Sequence, residues 1–265
     1  MPMSATASEL LATVERSPQA VAAHDRAAWV GLFADTARVE DPVGSRPHVG
    51  TAAVERFYDT FIAPNGIAFR IEHDVVRGMT VYRDLTIETT MSTGVTLRVP
   101  MHLRYDVVES HDELKIGQLR AHWELPVMIG QLLSAGAPGL TAAAKLAPQL
   151  LRNQGLGGAL GFARGFVRVG AAGKRVVTDL LRAAGRGDSA AVRSALTSDA
   201  AVYWAGTPIG FEGFMARAGG MEVGKTIAAG RFVTATVRTP TGRGIAETEL
   251  TRNAEVTTLR VYLAE

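Results

Sequence analysis

Phe33-Ala34-Asp35-Thr36-Ala37-Arg38-Val39-Glu40-Asp41-Pro42-Val43-Gly44, followed by Gly50-Thr51-Ala52-Ala53-Val54-Glu55-Arg56-Phe57-Tyr58, is the stretch on which the fold turns. Residues 37–40 read as a short strand, and Pro42 fixes the turn that ends it. Gly50 opens a helix whose apolar face is Val54, Phe57, Tyr58 and Phe61, and Pro64-Asn65-Gly66 closes it. A carboxylate at the end of such a strand, Asp41, can sit in an apolar mouth where desolvation raises its basicity. It can equally cap the turn through its own backbone.

Working outward, apolar residues recur at helical spacing between Ser8 and Phe33, with Pro18 expected to open a second helical piece. Four β-rich stretches follow the Gly50 helix, at roughly 67–77, 80–91, 95–108 and 115–124. Helices first and then a run of antiparallel strands is an α+β pattern, with helices packed on one face of a curled sheet. Residues 173–265 repeat that order in shortened form. Helices are expected at Val176–Ala184, Ala190–Leu196 and Phe211–Ala218, and strands near 225–238, 243–251 and 255–263. Ser198-Asp199-Ala200-Ala201-Val202 parallels Ala34-Asp35-Thr36-Ala37-Arg38-Val39. The expected architecture is therefore two cone-shaped curled sheets, 1–125 and a degenerate second copy at 171–265, joined by an apolar helical connector at 126–170. Counting from Asp199 as from Asp35 puts Ala205 where Asp41 stands, so the second copy lacks the acid. It reads as a structural or regulatory repeat.

Composition narrows the chemistry. The 265 residues are 47% hydrophobic and 20% charged, ordinary values for a packed globular chain. Without cysteine, thiolate catalysis, disulfides and thiolate metal centres are excluded. A net charge of +2 is too small for a dedicated nucleic-acid binder. The charge is unevenly spread, however. Lys145, Arg152, Arg164, Arg168, Lys174, Arg175, Arg182 and Arg186 face Asp179 alone in residues 145–186, and Leu125 to Ala144 carries no charge. Pro126, Pro138 and three glycines make that run a poor membrane span. It suits helices buried between domains, or a peripheral contact with anionic lipid. The opening Met-Pro-Met-Ser-Ala-Thr has no basic segment ahead of an apolar one, and a cytoplasmic location is expected.

Two motifs are set aside. Gly219-Gly-Met-Glu-Val-Gly-Lys-Thr226 satisfies the phosphate-loop spacing, but a helix precedes it and a strand follows, the reverse of the order that phosphate binding needs. The six histidines show neither His-x-His nor His-x-x-x-His spacing, so no metal site is expected.

The Glu40-Asp41-Pro42 strand end and the Gly50 helix resemble the ketosteroid isomerase branch of the nuclear-transport-factor-2-like (SnoaL-like) superfamily, over residues 8–125. The resemblance implies that Asp41 is a general base in a deep apolar cone, that Tyr58 is a pocket tyrosine, and that Phe33 and Trp123 line the site. The oxyanion tyrosine of that family falls on Ser17, which cannot replace it in kind. The family's second oxyanion donor falls in Val99-Pro100-Met101-His102-Leu103-Arg104-Tyr105. Anchoring on Pro100 selects His102, the preferred assignment, and anchoring on Arg104 selects Met101. The implied function is a steroid delta-isomerase-like proton transfer α to a ketone, on a hydrophobic cyclic substrate. Asp41, Tyr58 and His102 would be catalytic, Phe33, Met101, Trp123 and Ser17 would contact substrate, and no cofactor is required. A homodimer is expected by the same likeness. The same fold also serves epoxide hydrolases and polyketide cyclases, for which Glu72 and Asp74 could supply a partner acid. A binding protein for steroid or lipid without catalysis is the third reading.

Overall fold

The structure is a computed structural model that describes residues 5–141, 144 and 168–264. The chain forms two compact units, the first ending at Val167 and the second starting at Arg168, with Asp74–Gly78 grouped with the second. Each unit has a six-stranded sheet with helices, and the fold is mixed α+β.

In the first unit, α1 (Ala7–Ala22) starts at a capping box in which Thr6 and Glu9 satisfy each other's free backbone donors. Leu10, Val14 and Val21 recur on its buried face. The helix runs through Pro18 unbroken, contrary to the break expected there. Packing of the residues on either side, Ser17 and Ala20, outweighs the lost backbone bond. Asp25 caps the short α2 (Arg26–Gly31). Next come β1 (Phe33–Glu40), β2 (His48–Val49) and α3 (Thr51–Phe57), which continues as a π-helical turn over Tyr58–Ile62. Four strands complete the sheet: β3 (Gly66–Arg77), β4 (Thr80–Thr90), β5 (Thr96–Ser110) and β6 (Glu113–His122). The order is β2-β1-β6-β5-β4-β3, with β1 parallel to β6. After β6 the chain enters α4 (Leu125–Ser134), whose contacts belong to this first unit.

Strand β5 divides the sheet's two faces. Leu97, Val99, Met101, Leu103 and Tyr105 are all buried on one side. Side chains alternate between the faces of a strand, so His102 and Arg104 point to the other. There His102 stands in register with Asp84 on β4 and His122 on β6, and all three are fully buried.

The second unit repeats the order with α5 (Gly170–Gly185), α6 (Ser189–Ala195), β7 (Leu196–Trp204), β8 (Thr207–Pro208) and α7 (Gly210–Ala218). Strands β9 (Glu222–Ala229), β10 (Phe232–Thr239), β11 (Gly242–Leu250) and β12 (Val256–Leu263) follow, in the order β8-β7-β12-β11-β10-β9. The stretch expected as one strand at 225–238 is two, because Gly230 at φ 56° turns the chain between β9 and β10. Leu180, Leu181, Phe214, Val233 and Leu259 belong to the buried core of this unit. Gly219 to Thr226 runs from the end of α7 into β9.

Of the apolar helical connector expected at 126–170, residues 142–143 and 145–167, with Lys145, Arg152 and Arg164 among them, lie outside the described residues. Among the described residues, no helix is long and apolar enough to cross a membrane.

Candidate active site

A cavity of about 170 Å³ opens in the first unit, between the apolar face of the sheet and α1, the α3 region and α4. Its wall is built by period. Every second residue of β5 from Leu97 to Tyr105 contributes, as do Ile87 and Thr89 of β4 and Leu119 of β6. Phe57 and Phe61, one helical turn apart, cover it from the side, and Met128 and Leu132 do so from α4.

Asp41 enters this apolar space from the end of β1. The Asp41–Pro42 peptide is cis, and Val43 N–H donates to the Ala121 carbonyl oxygen at 2.9 Å, which ties the turn to β6. Trp123 follows the last residue of β6, and its indole N–H donates to Asp41 Oδ1 at 2.5 Å. Oδ1 is thus engaged, and among the described residues no donor reaches Oδ2. Burial in apolar surroundings pushes the Asp41 carboxyl up to about 6, against the Trp123 hydrogen bond, which favours the charged form. Among the described residues lining the cavity, Asp41 is the one carboxylate.

The second polar group is Ser17. It is 2% exposed, lines the cavity from α1 and accepts a hydrogen bond from the Trp29 indole at 3.1 Å. Among the described residues no acceptor takes its hydroxyl proton. Trp29 N–H occupies an oxygen lone pair, so the serine O–H is left as a donor toward the cavity.

The cavity therefore gathers Asp41, Ser17, Met101 and Trp123 from the residues singled out in the sequence. Tyr58, His102 and Phe33 are not in its wall. Tyr58 is buried against Trp29, with ring centroids 5.6 Å apart, and its hydroxyl has no hydrogen-bond partner among the described residues. The groups that act on it electrostatically are Asp25, Arg26 and Asp59, which lie on the outer side of α2 and α3. Phe33 packs on Trp29 at 4.6 Å. His102 faces away because Met101 faces in, and its Nε2 stands 3.4 Å from Asp84 Oδ1. Of the two anchors for β5, the strand's alternation favours the one that put Met101 in the site. Glu72 is exposed and accepts from Thr86 at 3.4 Å, and Asp74 is likewise absent from the cavity wall.

Sequence reading allowed the connector to act as a lid on an apolar ligand but did not single out Met128 and Leu132, whose i, i+4 spacing marks the face of α4 that lines the cavity. It also missed how α4 is held. Beyond the end of β6, the edge of β5 at Arg98 lacks a strand partner. Gln131 supplies one: its Oε1 accepts from Arg98 N–H at 2.9 Å and its Nε2 donates to the Arg98 carbonyl at 2.8 Å. No group of three or more potential metal ligands occurs among the described residues.

In solved structures, this chain is similar to a Δ5-3-ketosteroid isomerase from Mycobacterium sp., at 29% identity over 45% of this chain and 96% of that one, with a TM-score of 0.42. It is similar to a Mycobacterium tuberculosis protein in complex with estradiol-17β-hemisuccinate, at 27% identity over 45% and 96% of the two chains, TM-score 0.41. The epoxide hydrolase/cyclase-like enzyme SalBIII of salinomycin pyran-ring formation matches at 21% identity over 45% and 93%, TM-score 0.41. The profile of the SnoaL-like domain family matches residues 14–112. The matched stretch includes Asp41 and strands β4 and β5 of its cavity wall, and this part of the first unit is similar to a SnoaL-like domain of the nuclear-transport-factor-2-like superfamily.

Proposed function

We propose that the first unit is a steroid delta-isomerase-like enzyme that moves a proton α to a ketone in a hydrophobic cyclic substrate, with Asp41 as general base. The observation that carries this reading is a single carboxylate in an apolar cavity, with its pKa raised to about 6 and one oxygen engaged by Trp123. At neutral pH such a group is mostly ionised, yet far more basic than an exposed aspartate. It is poised to take a proton from carbon and to give it back.

The steps balance on this chain's own residues. Asp41 Oδ2 removes the proton between the ketone and a β,γ double bond, and the C–H electron pair forms a dienolate. The Ser17 hydroxyl donates to the developing oxyanion, in the role first expected of Tyr58 and His102. Protonated Asp41 then returns the proton at the γ carbon, which restores the carbonyl in conjugation with the moved double bond. One serine donor is weaker than the pair of donors characteristic of this chemistry. Each missing donor costs about 10²–10³ in rate, so turnover is expected to be slow. Proton transfer of this kind draws on no cofactor. Epoxide opening usually calls for a second acid, and Glu72 and Asp74 are not in the cavity wall, so the hydrolase reading has less support.

The test is direct. Protein and a β,γ-unsaturated 3-ketosteroid are mixed and the conjugated enone absorbance is followed, for wild type and Asp41→Asn. Enone formation lost in the variant supports the isomerase. Steroid binding without turnover in either form identifies a carrier, and opening of an epoxide substrate without enone formation assigns the chain to the hydrolases and cyclases of this fold.

A further inference from the structure

The cavity has a second polar end that the proposed chemistry does not use. Thr89, near the end of β4, lines it opposite Leu97 of β5. Asn65 lines it from the residue just before β3. The two stand at the same end of the sheet, because a Cβ on Gly66 would lie 3.8 Å from Thr90 Cβ. Asn65 donates through Nδ2 to the Phe61 carbonyl oxygen at 2.9 Å, which turns the carboxamide and leaves its Oδ1 and second N–H unengaged among the described residues. The Thr89 hydroxyl likewise has no hydrogen bond to any described residue. Around them the wall is apolar: Ile67, Ile87, Met91 and Leu97. Two unengaged polar groups at one end of an apolar cavity are the sparse, placed contacts that set orientation and specificity in small-molecule sites.

Register sets the distance to the acid. Trp123, which holds Asp41, follows His122, and His122 faces His102, so the indole arrives beside Met101. Leu97, opposite Thr89, is four residues from Met101 along β5. At about 3.3 Å per residue the two polar ends are roughly 10–15 Å apart. Resting on the proton-transfer reading of Asp41, we infer that Asn65 and Thr89 form a second oxygen-recognising subsite. The ligand is then an elongated, rigid, apolar molecule with oxygen at both ends: a ketone at Asp41 and Ser17, and a carbonyl or hydroxyl at Asn65 and Thr89. Thr89 O–H or the Asn65 N–H serves a carbonyl, and Asn65 Oδ1 accepts from a hydroxyl. A monoterpene-sized molecule cannot span both ends.

Tryptophan fluorescence titration tests this with two ligands, a 3,17-diketosteroid and the 3-ketosteroid that lacks the 17-oxygen. Wild type is expected to bind the diketone about three- to tenfold more tightly, the range of one or two neutral hydrogen bonds. Thr89→Val, nearly isosteric, and Asn65→Leu should each reduce that preference toward unity by weakening the diketone alone. Equal affinity of wild type for the two steroids, or a preference that survives both substitutions, overturns the subsite and leaves the Asp41 reading standing. Failure of wild type to bind either steroid overturns both.

Discussion

Trp123 and Asp41 share a 2.5 Å hydrogen bond inside a cavity whose wall is otherwise almost wholly apolar. The bond opposes the rise that burial imposes on the carboxyl group and sets its balance at about 6. It also leaves Oδ2 as the oxygen free to accept a proton.

The first prediction is a pH profile. A base must be ionised to act, so kcat/KM for enone formation should rise about tenfold per pH unit below 6 and level off above it. Initial rates between pH 4.5 and 8 in constant ionic strength measure this. A profile flat through that range, or one that falls as pH rises through 6, contradicts the assignment.

Trp123→Phe should move that inflection upward. The variant keeps an aromatic ring but removes the N–H that favours the charged carboxylate, so desolvation acts unopposed. The same rate profile, repeated on the variant, should have its midpoint above 6, with lower activity at neutral pH. An unchanged midpoint would mean that the indole does not tune the acid.

Asp41→Asn should make the protein more stable while making it inactive. The sign follows from linkage. The folded-state value of about 6 lies above the ordinary 3.8, so the native fold binds this proton more tightly than the unfolded chain. The stability this contributes is present below 3.8 and is lost as pH rises through 6. Asparagine never ionises, and at pH 7.5 it should gain on the order of 1–3 kcal/mol relative to aspartate, a difference that should vanish near pH 3.5. Urea unfolding at the two pH values measures it.

Tyr58 and Ser17 should respond in opposite ways. The Tyr58 hydroxyl is buried outside the cavity with no partner among the described residues, so Tyr58→Phe should hold activity within about twofold and leave the melting temperature equal or higher. Ser17→Ala removes the donor at the cavity and should lower kcat by about tenfold or more, and it should also lower the melting temperature because the buried Trp29 indole N–H loses its acceptor. Paired kinetics and melting curves decide between them.

How much of this could be read from the residues alone depends on what each signal encodes. Glu40-Asp41-Pro42 and the Gly50 helix have a local cause, and the strand runs after Gly66 follow a period-two pattern that needs no tertiary information. His102 and Met101 are one residue apart, and a one-residue error in anchoring reverses the face. The alternation of Val99, Met101, Leu103 and Tyr105 with Pro100, His102 and Arg104 places Met101 on the cavity face, and anchoring on Pro100 set that pattern aside. Pro18 signals a break that tertiary packing overrides. The role of α4 was hidden by its composition, because an uncharged Leu/Gly run suits a connector as well as a cavity wall. Only the pairing of Gln131 with the β5 edge distinguishes the two.

That pairing supports one more prediction. Gln131→Leu keeps the helix-forming tendency but leaves the Arg98 backbone edge unpaired, so α4 should be held less firmly over Met128 and Leu132. Stopped-flow displacement of a bound ketosteroid should show release about three- to tenfold faster than wild type. Unchanged release would mean that Gln131 does not restrain the helix.

The most direct test of the central claim is wash-in of solvent deuterium. A conjugated 3-ketosteroid is incubated with the protein in deuterium oxide at pD 7.5, and label at the α and γ carbons is read by NMR. Wild type should place deuterium at both carbons, and Asp41→Asn at the rate of buffer alone. Label appearing equally fast with the variant, or no label above buffer with wild type that binds the steroid, would contradict the claim that Asp41 takes hydrogen from carbon.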